Sequence, residues 1–97
     1  MTHDQNNERL TRAFKALSNP NRLQIYQEIV HKQISEVSNS GCRVVDFINA
    51  MRVGAPTISH HLKELVNAEL IRVERNGKFV ICHLNESMRE ELKGFFG

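Results

Sequence analysis

The chain has 97 residues, enough for one domain with a modest core and little volume for a deep catalytic cavity. Its 40% hydrophobic and 25% charged residues describe a globular chain, and no apolar run approaches the ~20 residues of a membrane span. The net charge of +2 lies between residues 52 and 83, where Arg52, Lys63, Arg72, Arg75 and Lys78 stand against Glu64, Glu69 and Glu74, a bias that fits solvated charge as well as nucleic acid.

Residues 1–7, Met1-Thr2-His3-Asp4-Gln5-Asn6-Asn7, are polar and lack the apolar stretch of a secretion signal. They read as a disordered tail on a cytoplasmic protein that makes no membrane contact. From Glu8 the spacing of Leu10, Phe14 and Leu17 predicts a first helix. Ser18-Asn19-Pro20-Asn21 stops it, with Asn19 suited to cap a second helix and Pro20 to open it. Leu23, Ile25, Tyr26, Ile29 and Val30 carry that helix to about Lys32, and 34–41 reads as a loop. A short extended stretch follows at 42–45, then a third helix at 46–52, broken by Gly54. The fourth helix, 55–68, has Pro56 in its first turn and an apolar stripe of Ile58, Leu62, Leu65 and Val66. Two strand-like runs, 70–74 and 79–84, are joined at Asn76-Gly77, a strong hairpin signal. Asn85 is placed to cap a closing helix bearing Met88, Leu92, Phe95 and Phe96.

Two helices separated by a few residues around Gly54 have helix-turn-helix spacing, and a hairpin directly after the second is a wing. The expectation is one domain over 1–97, mainly α with a small β-wing. It has about five helices plus a β-hairpin, with the helix-turn-helix at 46–68 and the wing at 70–84.

At 100° per residue, His60 falls opposite the apolar stripe of the fourth helix, with Thr57, Lys63, Glu64 and Asn67 on the same outer side. Ser59 and His61 lie at the margins of the stripe. Hydroxyl, imidazole, ammonium and amide groups on one exposed face suit the reading of base edges in a major groove. The alternative is a merely solvated face, which a wing makes less apt. Arg75, Asn76 and Lys78 at the wing tip suit phosphate contact or minor-groove insertion, although charged hairpin tips also serve solubility.

Three stretches carry a family resemblance. Leu17-Ser18-Asn19-Pro20-Asn21-Arg22-Leu23 is similar to the LxxPxRL signature that opens the second helix of ArsR/SmtB-type repressors. Thr57-Ile58-Ser59-His60-His61-Leu62-Lys63-Glu64-Leu65 resembles their recognition helix, written S-x-H-L-x-x-L, and Leu70-Ile71-Arg72 with Asn76-Gly77-Lys78 resembles their wing. The resemblance covers roughly residues 9–96. It implies a winged helix-turn-helix repressor that binds an imperfect palindrome of double-stranded DNA as a homodimer and leaves it when an inducer binds. By the same resemblance Ser59 and His60 stand where relatives touch bases. Ala55 and Pro56 replace the polar residues often found just before. The first and last helices would form the dimer contact, through Leu10, Phe14 and Leu17 and through Met88, Leu92, Phe95 and Phe96.

Many relatives sense metals. Where one familiar site has Cys-Val-Cys-Asp this chain has Arg43-Val44-Val45-Asp46, and residues 85–97 contain neither histidine nor cysteine for the other. No metal and no cofactor is therefore expected, and the sequence names no inducer. His60 and Glu64 are four apart on one helix, but two ligands do not make a site. Cys42 and Cys82 are a candidate redox pair if the strand before the third helix pairs with the second wing strand. The alternative is a core Cys82 and an incidental Cys42. The chain shows no paired carboxylates, phosphate loop or nucleophile–base pair that would mark an enzyme. A winged-helix adaptor that binds protein instead of DNA is the alternative function. Lys63, Arg72, Arg75 and Lys78 weigh against it.

Overall fold

A computed structural model describes residues 2–35, 42–43 and 54–97. The elements are α1 (Thr2–Leu17), α2 (Pro20–Ser35), β1 (Cys42–Arg43), α3 (Ala55–Asn67), β2 (Ile71–Asn76), β3 (Phe79–Leu84) and α4 (Glu86–Phe95). The helix expected at 46–52, and with it the first half of the helix-turn-helix, lies outside the described residues. Helix α3 is the helix expected fourth, and α4 is the closing one.

Local chemistry sets the helix boundaries. Asn19 caps α2 as expected: its Oδ1 accepts from the backbone N–H of Asn21 at 2.9 Å and of Arg22 at 3.1 Å. Arg22 Nε then donates to the carbonyl of Ala16 at 2.7 Å, tying the end of α1 to the start of α2. Asn85 caps α4, accepting from the Met88 N–H.

Three expectations are corrected. Helix α1 begins at Thr2, so residues 2–7 are helical where a disordered tail was expected. No glycine or proline interrupts 2–17, and a helix anchored by its packed half extends until something stops it. Helix α2 runs past Lys32 to Ser35 because Gln33 is held by tertiary bonds. Gln33 Oε1 accepts from Leu84 N–H at 3.1 Å and its Nε2 donates to Glu86 at 3.2 Å. The first wing strand is shifted, running Ile71–Asn76.

The sheet is antiparallel with order β1-β3-β2. Strand β3 is central, and its last four residues, Ile81 to Leu84, are all buried. The core joins Ala13 of α1, Ile25 and Ile29 of α2, Ile58 and Leu65 of α3, Leu70, Cys82 and Met88. Helix α2 lies in the middle, touching α1, α3, β1 and β3.

Candidate nucleic-acid interface

Helix α3 positions most of the expected site. Gly54 precedes it in extended conformation without a side-chain cap, and Pro56 sits in its first turn. Ile58, Leu62 and Leu65 are buried, so the helix must turn its other side outward. Thr57, Ser59, His60, Lys63 and Asn67 are all exposed there. The stripe is narrower than expected, since Val66 is 38% exposed.

The far end of α3 closes in a Schellman arrangement. Leu70 N–H donates to Leu65 O and Glu69 N–H to Val66 O, both at 3.0 Å, with Glu69 in the left-handed region at φ 62°. Glycine usually takes that position. Here Asn85 Nδ2 donates to the Glu69 carbonyl at 2.8 Å, and the Glu69 carboxylate faces Arg9 at 3.3 Å and Arg12 at 3.9 Å.

His61 departs from its neighbours. It is 6% exposed, and both ring nitrogens lack a hydrogen-bond partner among the described residues. Burial lowers its pKa from the ordinary value of 6.5, and the charges of Arg22 and His60 push the same way. A neutral imidazole therefore serves as packing on the inner side of the helix. In the pattern S-x-H-L-x-x-L the histidine is His61, and the variable position is the exposed His60. The base-reading expectation thus rests on His60 and Ser59, not on the signature imidazole.

The wing turn also differs by one residue. Asn76 pairs with Phe79, so the two-residue loop is Gly77-Lys78. Gly77 has φ 62°, while Lys78 is not among the positive-φ residues. That is the type II′ pattern, with glycine first, and the loop is Gly77-Lys78 in place of the expected Asn76-Gly77. Arg75, Asn76 and Lys78 are exposed as expected. Lys78 Nζ lies 5.6 Å from the centre of the Phe79 ring. Glu74, the nearest carboxylate in sequence, is engaged by His83, whose Nε2 lies 2.6 Å from its Oε1.

Helix and wing meet at a groove of about 270 Å³ that Ser59, Lys63 and Arg75 line together with Leu62, Val66, Val73 and Val80. Three of the seven expected DNA-contact residues thus come together, with the two cations flanking an apolar floor. Thr57 and His60 stand elsewhere on α3, and Asn76 and Lys78 beyond the groove at the wing tip.

Two cationic contributions were missed from sequence. Arg43 of β1 reaches the wing, its guanidinium carbon 4.8 Å from the centre of the Phe79 ring. Arg12, Lys15 and Arg22 line a second cleft of about 270 Å³ with Glu64 and Asn67 of α3. No sequence pattern joins residues 12–22 to residues 64–67; only the packing of α1 and α2 on α3 does.

The expected dimer residues divide. Met88 and Leu92 are buried in the protomer's own core. Leu10, Phe14 and Leu17 are half-buried against that core. Phe95 is 62% and Phe96 75% exposed, and their rings meet Phe14 edge-on at 5.2 and 5.8 Å. Cys42 and Cys82 are register partners in the β1–β3 ladder, as the strand argument required.

Residues 32–73 match the family model described as bacterial regulatory protein, arsR family. The chain is 32% identical over 76 residues to the arsenical resistance operon repressor of Staphylococcus xylosus, covering 78% of this chain and 65% of that protein. It therefore spans just under two thirds of that relative's length. It is 28% identical over 82 residues to the transcriptional repressor SdpR of Bacillus subtilis (strain 168), covering 84% of this chain and 82% of the relative. The fold matches the crystal structure of an ArsR family transcriptional regulator with TM-score 0.72 at 17% identity, over 92% of this chain and 84% of that one.

Proposed function

We infer that this chain belongs to the ArsR family of bacterial regulatory proteins, and that it is a transcriptional repressor that binds an imperfect palindrome of duplex DNA as a homodimer. The observation that carries the reading is the convergence of Ser59, Lys63 and Arg75 on one groove between α3 and the wing. A helix that presents Thr57, Ser59 and His60 to a major groove places the adjoining backbone strand over that groove, between Lys63 and Arg75. Phosphate contacts of this kind fix register, while the short polar side chains on the helix select bases. Arg43 and Lys78, gathered on Phe79, add charge to the face of the wing turned away from that groove.

The dimer is assigned to the surface around Phe14, Phe95 and Phe96. Exposed phenyl groups are costly in water, and burying each across a two-fold axis contributes ~1.5–3 kcal/mol. No described helix is long and apolar enough to cross a membrane, and the cytoplasm is the compartment we propose.

The two metal sites familiar in the family do not fit these residues. Arg43 stands where the first has a thiolate, and a guanidinium does not coordinate cations. On α4, Glu91 accepts from Arg9 at 2.7 Å, and Glu86 faces Gln33 at 3.2 Å and Arg89 at 3.6 Å. We propose control without either site; zinc, nickel or arsenite releasing DNA stoichiometrically would overturn this.

The deciding experiment is duplex binding measured across salt concentrations. A repressor loses affinity steeply as salt rises and prefers one operator over random duplex. A protein adaptor shows neither behaviour, and that result would retire the repressor reading.

A further inference from the structure

We propose that Cys42 and Cys82 form a reversible dithiol–disulfide site that fastens the wing to the strand leading into the helix-turn-helix. The chain has two cysteines, 40 residues apart, and the fold makes them direct partners across the β1–β3 ladder. Directly opposed residues of an antiparallel pair have Cα atoms ~4.5–5.5 Å apart and share one face of the sheet. A disulfide spans ~4.4–6.8 Å between Cα atoms, so the backbone needs no rearrangement to accept one. Burial by itself accounts for a small apolar residue at position 82, which is wholly enclosed. The pairing of the two is what the site explains.

The chemistry needs a peroxide as oxidant. One thiolate attacks the peroxide oxygen, becoming a sulfenic acid and releasing hydroxide. The second thiol attacks the sulfenic sulfur and expels water. In net terms two thiols and one hydrogen peroxide give one disulfide and two waters, and an external dithiol reverses the link by exchange. Opposition across the ladder favours the second step, because the two residues are register partners and the step is intramolecular. Enclosure of Cys82 then shields the product from bulk reductant, so the oxidised state persists until a dithiol reaches it.

The consequence for regulation rests on the repressor reading. Strand β3 is half of the wing, and Cys42-Arg43 opens the segment that runs to α3. Arg43 already meets the wing at Phe79. A covalent bond at 42–82 locks β3 of the wing to β1, and the wing loses freedom to adjust to a duplex.

The test treats the full chain with hydrogen peroxide, then maps peptides without reduction. The expected result is one linked pair containing Cys42 and Cys82, a mass lower by two hydrogens, and reversal by dithiothreitol. Cys42→Ser and Cys82→Ala each abolish the link, and the first keeps the proposal testable if loss of a buried side chain unfolds the second. Separate oxidation of the two cysteines to sulfinic acids, or links between protomers only, overturns the site. Duplex affinity is measured on the same samples, with a drop of roughly tenfold or more expected on oxidation and none in Cys42→Ser. Unchanged affinity in a disulfide-linked sample overturns the regulatory consequence. Absence of duplex binding by the reduced protein counts against the repressor reading alone, since the peptide map decides the disulfide either way.

Discussion

At the scale of single residues, the exposed and buried histidines of α3 separate two kinds of effect. His60→Ala is expected to cost ~1–3 kcal/mol of operator binding while changing random-duplex affinity little, as for a direct base contact. Equal operator affinity at matched salt would show that His60 faces solvent in the complex. His61 should act through stability. Its folded pKa lies below the ordinary 6.5 because burial and Arg22 disfavour the imidazolium. The unfolded chain therefore takes up the proton first as pH falls. The stability due to this group is fully present above about pH 6.5 and drains away below it. His61→Leu should flatten the loss between about pH 6.5 and pH 5. Denaturant melts with the same acid slope in both proteins would exclude His61 as the cause. On the wing, replacing Arg75 and Lys78 together by Ala should reduce the salt slope by about two charges. Arg75 should dominate the affinity loss, because Lys78 gives up a ring contact worth ~0.5–1 kcal/mol to reach a phosphate. An unchanged slope would place the wing outside the complex.

At the scale of elements, the end of α3 is where a local rule is broken and compensated. A non-glycine residue in the left-handed region costs ~1–2 kcal/mol. Glu69 accepts that cost while its carboxylate meets Arg9 and Arg12 and its carbonyl receives Asn85. Surface ion pairs contribute only ~0–1 kcal/mol, so they do not fully offset the strain. Glu69→Ala should lose the ion pairs and keep the strain, whereas Glu69→Gly should lose the ion pairs and relieve it. The glycine variant is expected to exceed the alanine variant in stability by ~1 kcal/mol in urea unfolding. The reverse order would mean that the left-handed backbone at position 69 carries no strain for glycine to relieve. Asn85→Ala removes both the α4 cap and the bond to Glu69, and a loss of ~1–2 kcal/mol is expected. Position 85 thus couples the end of α3 to the start of α4.

At the scale of the molecule, the burial of Met88 and Leu92 within one chain decides how assembly must be tested. A polar residue at Leu92 would damage the protomer's own core and say nothing about association. Phe95→Glu or Phe96→Glu instead changes residues that are 62% and 75% exposed. Either should shift the protein towards monomer in sedimentation at micromolar concentration with little change in helical content. A wild type that is already monomeric there would exclude this surface as the dimer contact. Because a palindrome is read by two protomers at once, the monomeric variants should also lose operator affinity far beyond the loss of one contact.

Periodicity and turn chemistry are local, and the residues that follow local rules were legible in the sequence. The Asn19-Pro20 start of α2, the Asn85 cap, the hairpin and the outward face of α3 depend on groups a few residues apart. The adjacency of Cys42 and Cys82 was legible as well, since the order of strands in a wing constrains which ones pair. Other features needed the folded chain. The turn sits at Gly77-Lys78 because the register of two whole strands, not the Asn-Gly dipeptide, selects the loop. Met88 and Leu92 look like an interface stripe in sequence, and only packing reveals that the same chain covers them. His61 lies at the margin of a helical wheel, and only packing decides that it is buried, with its pKa lowered by that burial and then by Arg22. Arg12, Lys15 and Arg22 reach α3 across three helices. Sequence spacing reports angle around one helix or strand; distance between elements, and hence burial and charge environment, is set only when those elements pack.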